Sequence, residues 1–150
     1  MNGPAVVPAP ATAVAPATAA GAEPARPVLP TIEDPDFHAS VKPSSAGRFR
    51  VALAGTADLN VKKQLDAFLS TVHALAVEQE LTEVEVDLTA LEFMNSSCLK
   101  GMVSWIAAVQ GTPADRQYRI KFLAKVGSRW QRRSLYALSC VAAHLVSIQD

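Results

Sequence analysis

Apolar and polar residues alternate in four short segments of the chain, and this period of two is typical of strands with one buried face. Residues 37–42 and 49–53 lie on either side of a cluster of turn-forming residues at 43–47, and they predict a hairpin that Gly55 ends. Residues 81–88 alternate aliphatic side chains with acidic ones and predict the clearest strand. Two further strands are predicted later in the chain, at residues 118–122 and 144–148.

Between these strands, apolar residues recur at spacings of three and four, the period of a helix with one buried face. The first such stripe consists of Val61, Leu65, Phe68, Leu69, Val72, Leu75 and Ala76. A second helix is predicted after Ser97, with a buried face made by Leu99, Met102, Val103, Ile106 and Ala107. A third helix is predicted to open at residues 127–128 and to bury Trp130, Leu135 and Leu138. Because helical crossovers favour parallel strands, the order β-β-α-β-α-β-α-β predicts one α/β domain with a mixed, mostly parallel sheet.

Composition divides the chain near residue 35. Nine of the ten prolines lie in the first 43 positions, and ten alanines lie within residues 1–30. A segment with so few bulky apolar side chains cannot offset its ordering entropy by burial. We therefore predict a disordered Pro/Ala-rich tail or linker at residues 1–35 and a single folded domain at residues 36–150. The tail is either a solvated extension without a specific role or a tether to a larger assembly.

Charge and cysteine content bear on the class of function. Fourteen basic and fourteen acidic side chains cancel, which gives no general basis for binding nucleic acid or an anionic membrane. No apolar run approaches the ~20 residues that a membrane span needs, and the first residues lack the basic region of a signal peptide. We therefore expect a soluble cytoplasmic protein without direct membrane insertion. Cys140 is expected to be buried, and the three histidines share no metal-ligand spacing, so no cofactor is predicted.

Charged residues are unevenly distributed along the sequence. No basic residue falls within an acidic run that consists of Glu80, Glu83, Glu85, Asp87 and Glu92. After Asp115 the chain is mainly basic. The basic segment is either a face for an acidic partner protein or a phosphate, or a solvated helix and strand edge without a partner.

The most specific stretch is residues 87–101, which read DLTALEFMNSSCLKG and join a predicted strand to the second predicted helix. This stretch resembles the core motif of the STAS domain family of bacterial anti-sigma-factor antagonists, D-L-S-x-V-x-F-M-D-S-S-G-L-G. Residues 53–59 are similar to the family's L-x-G-x-L-D segment, and residues 133–141 are similar to its third helix. The resemblance covers residues 37–150 in order. Asn95 stands where the family has an acidic residue, and Cys98 stands where it has a glycine.

The resemblance implies a regulatory protein that works by reversible binding and is not itself an enzyme. In the family, a partner serine kinase that is also the anti-sigma factor phosphorylates the first serine of the motif, and this regulates transcription by partner switching. That serine corresponds to Ser96, with Ser97 as the second candidate, and a phosphatase removes the phosphate. The implied partner-binding surface comprises Gly55, Thr56, Asp58, Asn95, Ser96, Ser97, Cys98 and Lys100.

Elementary chemistry leaves alternatives open at the same stretch. Asn95 or Ser96 can cap the second helix, and the serines then need have no role beyond capping. A helix N-terminus also favours negative charge, so a phosphate on Ser96 would find backbone donors there. Cys98 in the first turn is either a packed small residue or a nucleophile with a lowered pKa. Two hypotheses therefore stand beside the switch: a non-switching scaffold subunit of a signalling or lipid-transport complex, and an enzyme that uses Cys98.

Overall fold

A computed structural model describes residues 28–150 of the chain, which form one six-stranded sheet with helices between the strands. The strands lie in chain order across the sheet: β1 (Ile32–Asp34), β2 (Phe37–Pro43), β3 (Arg48–Ala57), β4 (Glu83–Met94), β5 (Arg119–Leu123) and β6 (Val146–Gln149). The pairings of β2 with β1 and β3 are antiparallel, and those from β3 to β6 are parallel. The predicted α/β fold with a mixed, mostly parallel sheet is confirmed.

Three helices make the crossovers between the parallel strands: α1 (Leu59–Glu78), α2 (Ser96–Gln110) and α3 (Arg129–Val141). A short 3₁₀ turn, Ala114–Arg116, follows α2. The predicted apolar stripe of α1 is confirmed, because its members are the residues which that helix buries. Within residues 28–150, no helix combines the length and the apolar character that crossing a membrane requires.

The sheet has one apolar face and one charged face. Alternate strand residues such as Val51 and Val86 are fully buried in the core. The residues between them point the other way, and there Arg50 on β3 lies 3.4 Å from Glu85 on β4. Basic residues of β3 and β5 pair with three members of the acidic run through four such contacts: Arg48–Glu83, Arg50–Glu85, Arg50–Asp87 and Lys121–Glu85.

The sheet begins nearer the N-terminus than the predicted domain boundary. β1 lies inside the segment that composition assigns to the tail, and its Ile32 is buried against the core. Three residues are too few to display a period of two, so the hydrophobic pattern does not reveal this strand. The rest of the predicted tail, residues 1–27, lies outside the described residues.

Two strand ends also differ from the predictions. β3 does not end at Gly55 but continues to Ala57, and β4 continues beyond the predicted residues 81–88 to Met94. The register between β3 and β4 shifts at two places along this stretch, the second between Gly55 and Thr56. Such irregularities interrupt the period of two, and they hide the ends of both strands from a reading of the sequence.

Helix α2 buries a face that differs from the predicted one. Met102 and Ile106 are buried as predicted, but Leu99 and Val103 are only half-buried and Ala107 is exposed. The buried side consists of Cys98, Gly101, Met102, Trp105, Ile106 and Val109. Apolar residues occur on most sides of α2, so their spacing does not determine which side faces the core.

Candidate partner-binding and phosphorylation site

The candidate site lies at the edge of the sheet where β3 and β4 end. These strands are parallel, so their C-terminal ends lie side by side, with Ala57 in register with Met94. The backbone N–H of Asn95 donates to the carbonyl oxygen of Ala57 at 2.9 Å, directly after both strands end. A helix follows each strand at once, α1 after Asp58 and α2 after Asn95. The topology therefore brings together the two segments that the sequence singles out.

Each of the two helices begins with a side-chain cap. The Asp58 carboxylate accepts a hydrogen bond from the N–H of Asn60 at 2.9 Å. The Asn95 side-chain oxygen accepts one from the N–H of Cys98, also at 2.9 Å. Both contacts satisfy a backbone donor that has no partner within its helix. Asn95 is thus the cap of α2, and the alternative in which Ser96 caps this helix is wrong.

Capping by Asn95 leaves Ser96 as the first residue of α2. Its side chain is exposed, whereas that of Ser97 is half-buried. Neither hydroxyl makes a hydrogen bond to another part of the described chain. The first turn of α2 itself contains no acidic residue. Of the two serine hydroxyls, that of Ser96 is therefore the more accessible.

Cys98 belongs to the core and not to the surface of the site. Its side chain is fully buried, and its Sγ lies 3.4 Å from the carbonyl oxygen of Asp58. Burial raises the pKa of the thiol, and the negative charge of Asp66 raises it further. The prediction that Cys98 lies on the partner-binding surface is therefore wrong for its side chain. The hypothesis that Cys98 is a nucleophile is contradicted as well, because a buried thiol with a raised pKa is neutral. Cys140 is exposed, which contradicts the expectation that it is buried.

Gly55 shapes the strand beneath the site. Its φ of +91° lies in the region that glycine alone adopts readily, and a Cβ there would lie 2.2 Å from the carbonyl oxygen of Asp36. The N–H of Thr56 donates to that same oxygen at 2.8 Å. Gly55 and Thr56 are both half-buried. Their evident role is to let the turn between β1 and β2 approach the end of β3.

Two exposed apolar side chains at this edge are absent from the predicted site. Leu59, the first residue of α1, is 67% exposed, and Phe93, near the end of β4, is 48% exposed. Lys100, a predicted member of the surface, is also exposed and lies one helical turn after Ser96. The only indication in the sequence that either residue is exposed is the position of Leu59 directly after the capping residue Asp58. Phe93 looks like a core residue in the sequence, because the register shifts between β3 and β4 cannot be read there.

Gln131 is a further residue that the sequence reading misses. It is fully buried in α3, where its side-chain nitrogen donates to the carbonyl oxygens of Leu88 at 2.8 Å and Leu91 at 2.9 Å. Its side-chain oxygen accepts from the N–H of Lys125 at 2.7 Å. The pairing of β4 with β5 ends at Asp87, so Gln131 replaces the missing strand partner. It thereby holds the segment that leads into the site.

No metal centre is evident in the described part of the chain, where no group of three or more His, Cys, Asp or Glu side chains is placed to hold an ion. The site offers instead a hydroxyl, exposed apolar side chains, a lysine and two helix N-termini. Such a set is suited to binding a protein surface or accepting a phosphate.

Comparison with known proteins identifies the fold. No family model matches the chain, and no curated protein matches it. Among solved structures, an anti-sigma factor antagonist from Mycobacterium paratuberculosis is similar with a TM-score of 0.52 and 17% identity, over 77% of this chain and 90% of that one. The Bacillus cell fate determinant SpoIIAA in its phosphorylated form is similar with a TM-score of 0.52 and 18% identity, over 75% of this chain and 91% of that one. The chain therefore has a STAS-like fold, as the resemblance of residues 87–101 implies.

Proposed function

We propose that this protein is a regulatory protein-binding module of the anti-sigma-factor-antagonist type, switched by reversible phosphorylation of Ser96. The observation that carries the proposal is the exposed Ser96 hydroxyl at the first position of α2, with the helix capped by its neighbour Asn95. One of the similar solved structures is a phosphorylated antagonist, and its likeness to this fold supports the same kind of switch here.

The chemistry of the site supports a switch through electrostatics. A phosphate on Ser96 adds about −1.5 to −2 charges at the edge that also exposes Leu59 and Phe93. A partner that covers these apolar groups would have to desolvate the dianion, and any acidic group that it presents would be repelled. Effects of this kind are worth about 1–3 kcal/mol, which is roughly a ten- to hundredfold loss of affinity.

The proposed partners follow from this role. A serine kinase that also acts as an anti-sigma-factor-like protein binds the edge formed by the ends of β3 and β4 and transfers phosphate to Ser96. A phosphatase reverses the modification. In this scheme the chain itself is a substrate and a ligand, not an enzyme, and it acts in the cytoplasm to regulate transcription.

Asn95 favours a second candidate, a scaffold subunit that does not switch. The family has an acidic residue here, whereas Asn95 is neutral and its side-chain oxygen is engaged in capping α2. A kinase that reads a carboxylate at this position would not find one. In a scaffold, the same edge would bind a permanent partner in a larger signalling or lipid-transport complex.

Mass spectrometry of the protein isolated from its own cells separates the two candidates. The switch predicts a fraction of the protein that carries one phosphate on Ser96. The scaffold predicts an unmodified protein that co-purifies in constant proportion with large subunits, and that result would contradict the proposal.

A further inference from the structure

Helices α1 and α2 leave a groove between them with a volume of about 400 Å³. This volume lies within the range of roughly 300–1,000 Å³ that is usual for small-molecule sites. The α1 side of the groove is formed by one face of the helix: Lys62, Asp66, Leu69, Ser70 and His73.

Small residues of α2 give the groove its shape. A Cβ on Gly101 would lie 2.6 Å from the Asp66 carboxylate, so the helices approach closely at this point. Ser104 and Ala108 follow on the same face and are exposed, so the groove stays open to solvent beyond the contact. The α2 side consists of Lys100, Gly101, Ser104, Trp105 and Ala108.

A hydrogen-bonded chain beneath the groove links Trp105, Tyr118 and His73. The indole N–H of Trp105 donates to the hydroxyl oxygen of Tyr118 at 2.8 Å. That hydroxyl lies 2.8 Å from Nδ1 of His73. In the tautomer in which Nδ1 accepts from this hydroxyl, the neutral ring carries its hydrogen on Nε2, which has no hydrogen-bond partner in residues 28–150. Burial lowers the pKa of His73, in agreement with a neutral ring.

The charges of the groove do not cancel. Lys62 and Asp66 form an ion pair at 2.6 Å and neutralise each other. Lys100 forms no ion pair with any of the described residues, which leaves one positive charge at the mouth. The remaining polar groups, the hydroxyls of Ser70 and Ser104 and the His73 N–H, are able to donate to an acceptor. The complementary ligand carries one negative charge, offers oxygen acceptors and has a compact apolar body.

We propose that the groove between α1 and α2 binds a small organic carboxylate. Its carboxylate group lies at Lys100 and the two serine hydroxyls, and its apolar body lies against Leu69 and Ala108. The groove shares Lys100 with the predicted partner-binding surface but does not include Ser96, and the proposal does not depend on the proposed function.

Titration of the ¹⁵N-labelled full chain with hydrocinnamate tests this site. We expect saturable shifts of the Trp105 indole N–H and the Gly101 amide, since both residues line the groove. The neutral analogue hydrocinnamamide has the same shape, and we expect it to bind about fivefold more weakly because it cannot pair with Lys100. Shifts that fail to saturate with hydrocinnamate, or equal affinity for the amide, would overturn the proposal.

Matched variants locate the binding. Ser104→Phe adds a ring at an exposed position in the groove and should abolish binding, whereas Ala107→Phe adds it at an exposed position of α2 outside the groove and should not. Lys100→Gln should weaken binding about fivefold, and Lys63→Gln, an exposed change on α1 outside the groove, should leave it unchanged. Unchanged affinity of Lys100→Gln, or of Ser104→Phe with its amide spectrum preserved, would contradict the assignment.

Discussion

Asn95 and Ser96 are neighbours at the start of α2, but only the Asn95 side chain caps the helix. The Asn95 amide completes the backbone hydrogen bonding of the helix, so the hydroxyl of Ser96 is exposed and not engaged in capping. A modification of Ser96 therefore need not disturb the cap. The sequence predicts both residues at the helix start, but two adjacent capping side chains look equivalent until the backbone angles are known.

Gly55 and Gly127 form a matched pair for measuring how much the close approach beneath the site matters. Both have positive φ, but a Cβ at Gly127 would meet no atom within 4 Å, whereas one at Gly55 would lie 2.2 Å from a backbone oxygen. We expect Gly127→Ala to cost about 1 kcal/mol and Gly55→Ala about 3 kcal/mol of unfolding free energy. Urea denaturation measures both. Equal losses would mean that the turn between β1 and β2 moves aside easily.

His73 makes stability depend on pH. Burial lowers its pKa in the folded state, so the unfolded chain, with the ordinary value, takes up the proton at higher pH. The stabilising contribution of the neutral ring is complete above about pH 6.5 and is lost as the pH falls from there through the lowered value. Urea denaturation between pH 7.5 and 5 should show this decline. His73→Gln should flatten it, and His144→Gln, a change of an exposed histidine, should not.

At the scale of elements, α1 and α2 differ in how well their sequences define them. In α1 nearly all the bulky apolar residues lie on the buried side, and polar residues and alanines occupy the exposed side, so the buried stripe follows from the spacing alone. In α2 apolar residues surround the helix, and Trp105 faces inward because its N–H finds the hydroxyl of Tyr118, 13 residues away. The end of β4 also depends on a distant residue, because Gln131 of α3 holds it by hydrogen bonds. Contacts between distant segments leave no local pattern to read.

Gln131→Leu tests the support of β4 by α3. The leucine fits the volume approximately but leaves the Leu88 and Leu91 carbonyl oxygens and the Lys125 N–H without their side-chain partner. We expect a loss of about 3 kcal/mol in unfolding free energy. Gln64→Leu, the same change at an exposed position of α1, should alter it by less than about 0.5 kcal/mol. If Gln131→Leu loses no more unfolding free energy than Gln64→Leu, then Gln131 does not support β4.

At the scale of the whole molecule, the boundary of the folded domain is set by β1. Composition places that boundary at residue 36, yet Ile32 is buried and β1 pairs with β2. We expect removal of residues 1–27 to leave the unfolding free energy unchanged. Removal of residues 1–35 should reduce it by about 2 kcal/mol, because the burial of Ile32 is lost. Thermal and urea denaturation of the two truncated chains check this, and equal stabilities would return the boundary to residue 36.

Phosphate transfer to the full chain tests the central claim most directly. The wild-type protein, Ser96→Ala and Ser97→Ala are each incubated with ATP and a cleared extract of the cells that produce the protein, and the phosphorylated position is mapped by tandem mass spectrometry. A switch at Ser96 predicts one phosphate on the wild-type protein, the same phosphate on Ser97→Ala and none on Ser96→Ala. Phosphate that enters Ser96→Ala at the wild-type rate, or a wild-type chain that stays unmodified, would contradict it.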